Sequence, residues 1–148
     1  NYYTASLEFL YTSGEDEDDS ESTTIFKTAG EHYCNGLEIF GRGTFDNFGA
    51  GWFGPEGIDN LGLMNITLSG SYPINDMMTA KAILGYLNSS VEKDGESNMG
   101  MEVDLGITCN IYEGFTFDLV GAVASINEDF FGDSDSLYEV TGRFQYKF

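Results

Sequence analysis

The last stretch of this chain, SLYEVTGRFQYKF (Ser136–Phe148), separates into two kinds of residue when read in steps of two. Tyr138, Val140, Gly142, Phe144, Tyr146 and Phe148 fall on one side, and Glu139, Thr141, Arg143, Gln145 and Lys147 on the other. A β-strand has that period, because successive Cβ atoms alternate between its faces, whereas a helix of about 3.6 residues per turn would mix the two sets around its surface. A ribbon of this kind needs two different surroundings, one apolar and one wet.

Five further stretches repeat the demand. In YTASLEFLY the apolar set is Tyr3, Ala5, Leu7, Phe9 and Tyr11, and in LMNITLSGSY it is Met64, Ile66, Leu68, Gly70 and Tyr72. MTAKAILGY gives Met78, Ala80, Ala82, Leu84 and Tyr86. MGMEVDLGITCNI gives Met99, Met101, Val103, Leu105, Ile107, Cys109 and Ile111, and FTFDLVGAVAS gives Phe115, Phe117, Leu119, Gly121 and Val123. No charged side chain falls on the apolar side of these strands.

With 19 Gly, 2 Pro and 15% aromatic residues, the chain suits an all-β domain of long strands spanning residues 1–148. No run of about 18 apolar residues is present, so a transmembrane helix is excluded. A transmembrane barrel stays open, because its strands alternate and averaged hydropathy hides them. The net charge of -19, from 25 acidic against 6 basic side chains, argues against nucleic acid as a partner. Much of the acid sits in GEDEDDSES (Gly14–Ser22) and NEDFFGDSDS (Asn127–Ser136), read as solvated loops. Within them, DEDD (Asp16–Asp19) and DSD (Asp133–Asp135) lack the glycine and distal glutamate of a calcium-binding loop, so no metal site is assigned. Of the two cysteines, Cys34 and Cys109, the second lies on an apolar strand face and reads as a free thiol acting as a small hydrophobe.

The connections alternate in length. Pro73–Asp76 and Glu113–Gly114 read as tight turns, Leu87–Asn98 and Asn127–Leu137 as long acidic loops, and the passage from Thr12 to Leu61 is longer still. Aromatic residues collect at both ends of the apolar faces: Tyr3, Tyr72, Phe115, Phe117, Tyr146 and Phe148 near the short turns, Tyr11, Tyr86 and Tyr138 at the other end. Two aromatic belts about 9–11 residues apart are what tilted strands need to cross a hydrocarbon layer with a ring at each interface.

On these residues the chain resembles the bacterial outer-membrane β-barrel proteins. The final strand, with Tyr138, Val140, Phe144, Tyr146 and the terminal Phe148, resembles the C-terminal signal strand of that family. The resemblance implies that this strand is read by the insertion machinery and closes the barrel against the first strand. MGMEVDLGITCNIYEGFTFDLVGAVASI is similar in style to the last hairpins of porins of the alginate-export-like group. The implied setting is the bacterial outer membrane, with the lipid bilayer and lipopolysaccharide as surroundings.

The fold expected is therefore an antiparallel transmembrane β-barrel with six firm strands and two doubtful ones, STTIFKTAG and HYCNGLEIFG, inside a long loop at 13–60. The doubtful pair has poor faces: turning Tyr33, Leu37 and Ile39 to lipid exposes Asn35, and the other register exposes Glu38. These segments extend above the membrane or fold inward, and GRGTFDNFGAGWFGPEGIDN (Gly41–Asn60) suits a compact loop, either of the kind porins use to narrow their pore or an ordered external cap. Either the doubtful strands complete an eight-stranded barrel, or the chain is the closing part of a larger one whose further strands lie elsewhere in a longer chain or in another copy. The second is favoured, because the sequence opens directly on a strand and carries so long a loop; it reads as a mature or excised product.

The polar side of the strands carries Glu8, Lys81, Glu102, Asp104, Asp118, Glu139, Arg143 and Lys147, expected to line the lumen. In a wide barrel these residues would face water and favour cations, and in a small one they would pair into a plug. No nucleophile elbow, Walker A or zinc-protease motif occurs, and the lone His32 beside Cys34 is too few ligands for zinc, so neither catalysis nor a cofactor is expected. The leading expectation is a porin-like channel for passive diffusion of small hydrophilic solutes, leaning to cations. The rivals are a small plugged structural or adhesion barrel with acidic external loops, and a soluble lipocalin-like binding barrel with the apolar faces turned inward.

Overall fold

A computed structural model describes residues 2–15, 36–41, 61–132 and 135–148. It contains one antiparallel sheet in which strands adjacent in sequence are adjacent in space: β1 (Thr4–Thr12), β2 (Leu63–Pro73), β3 (Met78–Lys93), β4 (Glu96–Tyr112), β5 (Phe115–Ile126) and β6 (Ser136–Tyr146). The protein is thus all-β, with a single short helix, α1 (Glu128–Phe131), among the described residues. All six alternating stretches are strands. The sheet is open: among the described residues β1 pairs only with β2, and β6 only with β5.

Of the doubtful pair, only the end of the second segment is described. Residues 36–41 of HYCNGLEIFG form bends rather than a strand, and residues 22–35 lie outside the described part, as do 42–60 and the acidic run from Asp16. The stretch LEIF alternates poorly because these residues do not lie between two solvents: Leu37, Glu38, Ile39 and Phe40 are all buried together.

The expected loop Leu87–Asn98 is instead the outer end of a long hairpin. β3 and β4 run on past the apolar belt and meet at Asp94–Gly95, where both residues have positive φ, 54° and 83°. That pair of angles is a two-residue hairpin turn matching the twist of the strands, and Asp-Gly is its favoured sequence. The signal was in the sequence, but the flanking residues are polar on both sides and show no alternation. Met99 is also displaced from its expected face. The ladder pairs Leu87 with Gly100 and then Asn88 with Asn98, leaving Met99 as the extra residue of a bulge. Gly100, at φ 139°, permits the kink, and Met99 turns inward and is fully buried.

In place of the loop expected at Asn127–Leu137, α1 is a single capped turn and β6 begins at Ser136. The Asn127 side chain accepts from the Asp129 N–H at 3.0 Å, and Gly132 in the left-handed region closes the other end. The two tight turns are found as expected at residues 74–77 and at Glu113–Gly114.

The register carries the two faces across all six strands. On one face, Leu7, Leu68, Leu84, Val103, Val123 and Tyr138 form a continuous row, and Ala5, Gly70, Ala82, Leu105, Gly121 and Val140 the next. This face is exposed: Leu105 is 63% accessible and Phe144 68%. Near the short turns Phe144 stacks on Phe115 and meets Phe117 at a tilt, with ring centroids 5.9 and 4.7 Å apart. The half-buried Cys109 belongs to this face and is a free thiol.

Candidate functional site

The opposite face is the one the chain covers, and seven of the eight expected lumen residues lie on it. Of the four rows that carry charged side chains, taken from the long-connection end towards the short turns, the first contains Glu8, Thr67, Gly85, Glu102, Ala124 and Leu137, and the second Ser6, Ser69, Ile83, Asp104, Ala122 and Glu139. The third contains Thr4, Ser71, Lys81, Gly106, Val120 and Thr141, and the fourth Thr79, Thr108, Asp118 and Arg143. Four of the five carboxylates, Glu8, Glu102, Asp104 and Glu139, therefore occupy the first two rows, Lys81 the third, and Asp118 with Arg143 the fourth. Lys147 lies beyond the end of β6, exposed, its N–H donating to the Gly114 carbonyl at 2.7 Å.

Glu8, on the open edge strand, is exposed, while Lys81, Glu139 and Arg143 are half-buried. Glu102, Asp104 and Asp118 are buried, at 0%, 1% and 3% exposure. Asp118 is compensated from both sides. Arg143 donates to its Oδ2 from Nε at 3.1 Å and Nη2 at 2.9 Å, and the Thr108 hydroxyl donates to Oδ1 at 2.7 Å. Such charge-assisted bonds are the strong ones, and they fix β5 to β6 on the inner side.

Glu102 and Asp104 are engaged differently, by residues 36–41, which lie as a strap on this face. The Ile39 and Phe40 N–H groups donate to the two oxygens of Glu102, each at 2.7 Å, and the Glu38 N–H donates to Asp104 Oδ2 at 3.1 Å. Leu37 sits over Gly85, where an added Cβ would lie 2.5 Å from its Cδ1. Leu37, Ile39 and Phe40 join Leu63, Leu87, Met99 and Phe130 in a buried cluster with Leu10, Ile83 and Leu137 at its margin. The inner face is therefore apolar and packed towards the long connections and polar towards the short turns. Sequence reasoning left an inward fold open for this segment, but it did not find the strap's partners, since backbone N–H groups carry no sequence signature.

Three expectations fall on residues outside the described part: His32, Cys34, and the functional loop beyond Gly41. Among the described residues no group of three or more His, Cys, Asp or Glu side chains is arranged to hold a metal ion, and no helix is long and apolar enough to cross a membrane, which leaves crossing by strands untouched. Compared with protein-family models, curated proteins and solved structures, the chain matches none.

Proposed function

We propose that this chain forms part of the wall of an outer-membrane β-barrel that passes small hydrophilic solutes by passive diffusion, with a preference for cations. One observation carries the reading: the apolar rows face outward along six strands while the charged rows face the covered side. Soluble monomers rarely expose contiguous apolar patches beyond about 300–600 Å². A lipocalin-like barrel would pack those same rows inside. On β4 the outward apolar residues run from Met101 to Ile111, the length that about 9–11 residues of tilted strand need to cross hydrocarbon.

The open edges belong to the same proposal. Unpaired backbone groups in a bilayer cost several kcal/mol each, so β1 and β6 require partners there. An even number of strands makes β6 run opposite to β1, so further hairpins of a longer chain, or a second copy, join both edges in the antiparallel sense. Apart from the Asp118–Arg143 pair and the strap-bound Glu102 and Asp104, the charged rows carry Glu8 and Glu139 against Lys81, and this excess of acid supports the cation preference. The strap narrows the lumen where the acids lie.

The buried cluster beneath the strap favours a second reading, a barrel closed by its own inner packing that serves as a structural or adhesion element. Planar-bilayer recording from the intact assembly separates the two. The channel reading expects stepwise conductance with a reversal potential shifted towards cations in a salt gradient; folded protein that inserts without conductance would contradict it and favour the plugged barrel.

A further inference from the structure

The structure assigns Glu102 and Asp104 a positioning role: they hold the strap at residues 36–41 across the inner wall, rather than presenting charge to the lumen. Both were expected to line water, yet both are buried, and the groups they accept from are main-chain N–H groups of the strap. Two successive N–H groups converging on one carboxylate form an anion-binding concavity, here filled by Glu102. The same three bonds orient the strap, because Glu102 and Asp104 project from one face of β4 two positions apart and meet consecutive residues of the segment.

The rows on either side fit this assignment. Gly85, opposite Glu102 on β3, leaves the space that Leu37 occupies, and Ala122 and Ala124 on β5 leave room beside the carboxylates. Small residues on both neighbouring strands thus make a seat for the strap, and the carboxylates between them fix its position. Resting on the channel reading, the consequence is that Glu102 sets the width of the passage by placing the strap, and contributes little to charge selection.

Amide hydrogen exchange on the full chain in detergent micelles tests the positioning role without requiring a channel. Wild-type Ile39 and Phe40 amides are expected to exchange slowly. Glu102→Ala should accelerate both by about tenfold or more. Glu102→Gln keeps one acceptor oxygen and should give an intermediate change, and Asp104→Asn should act chiefly on the Glu38 amide. Gly85→Val, on a different strand, should release the same amides by displacing Leu37, which keeps the test available if Glu102→Ala does not fold. Unchanged protection at Ile39 and Phe40 in folded Glu102→Ala would overturn the assignment.

In bilayers, Glu102→Ala should admit larger neutral polymers with the reversal potential unmoved. A shifted reversal potential with an unchanged size limit would make Glu102 a water-lining charge and contradict the proposal. Lost amide protection without conductance in any form would uphold the positioning role and remove the channel reading.

Discussion

Leu105→Arg is expected to destabilise the protein folded into phospholipid vesicles by about 2–4 kcal/mol, the cost of a cation on the lipid face of a barrel at mid-bilayer. Leu105 stands in the middle of the outward run from Met101 to Ile111 and is flanked in its row by Ala82 and Gly121, which offer the guanidinium no partner. If that face met water, the same change would fall within about 0.5 kcal/mol, as surface substitutions usually do. Urea titration in vesicles measures the difference. Thr141→Lys, on the inner face of β6 and in the row of Lys81, is the control and should change stability little. Equal, small effects of the two substitutions would contradict the outward assignment.

Arg143→Ala is expected to cost about 3 kcal/mol, because it leaves the buried Asp118 carboxylate with the Thr108 hydroxyl alone. The loss should come from the stranded charge rather than from the missing attraction. Arg143→Ala with Asp118→Ala should therefore recover most of it, and the double-mutant cycle should show strong coupling. The same unfolding titration checks this. Additive effects would mean that the two side chains do not act as a pair.

The sequence made the strands legible because each lies between two surroundings of different polarity, and alternation records that difference directly. Tyr138 to Tyr146 is the clearest case, since its outward positions other than Gly142 are aromatic or β-branched. Where the difference ends, so does the signal. Asn88–Asn98 continues as strand with polar residues on both faces, and only Asp94–Gly95 marks its turn. Met99 fails for another reason: a bulge shifts the parity of one residue, and the kink depends on the backbone of Gly100.

The site was half legible. The period assigned Lys81, Asp118, Glu139 and Arg143 to one face, and the register joins Asp118 to Arg143. It also placed Leu10, Ile83, Val120, Ala122 and Ala124 on that face, and the packed region that some of them form beneath the strap becomes visible only once Leu37, Ile39 and Phe40 lie over it. Glu102 looked like a lumen charge because its partners are main-chain groups more than sixty positions away.

Which side of the sheet meets acyl chains is the claim on which the channel, the aromatic belts and the edge partners all depend. With Cys34 and Cys109 replaced by alanine, nitroxides placed singly at positions 103 to 108 and measured in vesicles read it directly. The expected result is a period of two, with positions 103, 105 and 107 more accessible to oxygen, which concentrates in lipid, than to a water-soluble nickel chelate. If 103, 105 and 107 are instead the positions the nickel chelate reaches best, the apolar face does not lie in a membrane and the proposed function is wrong.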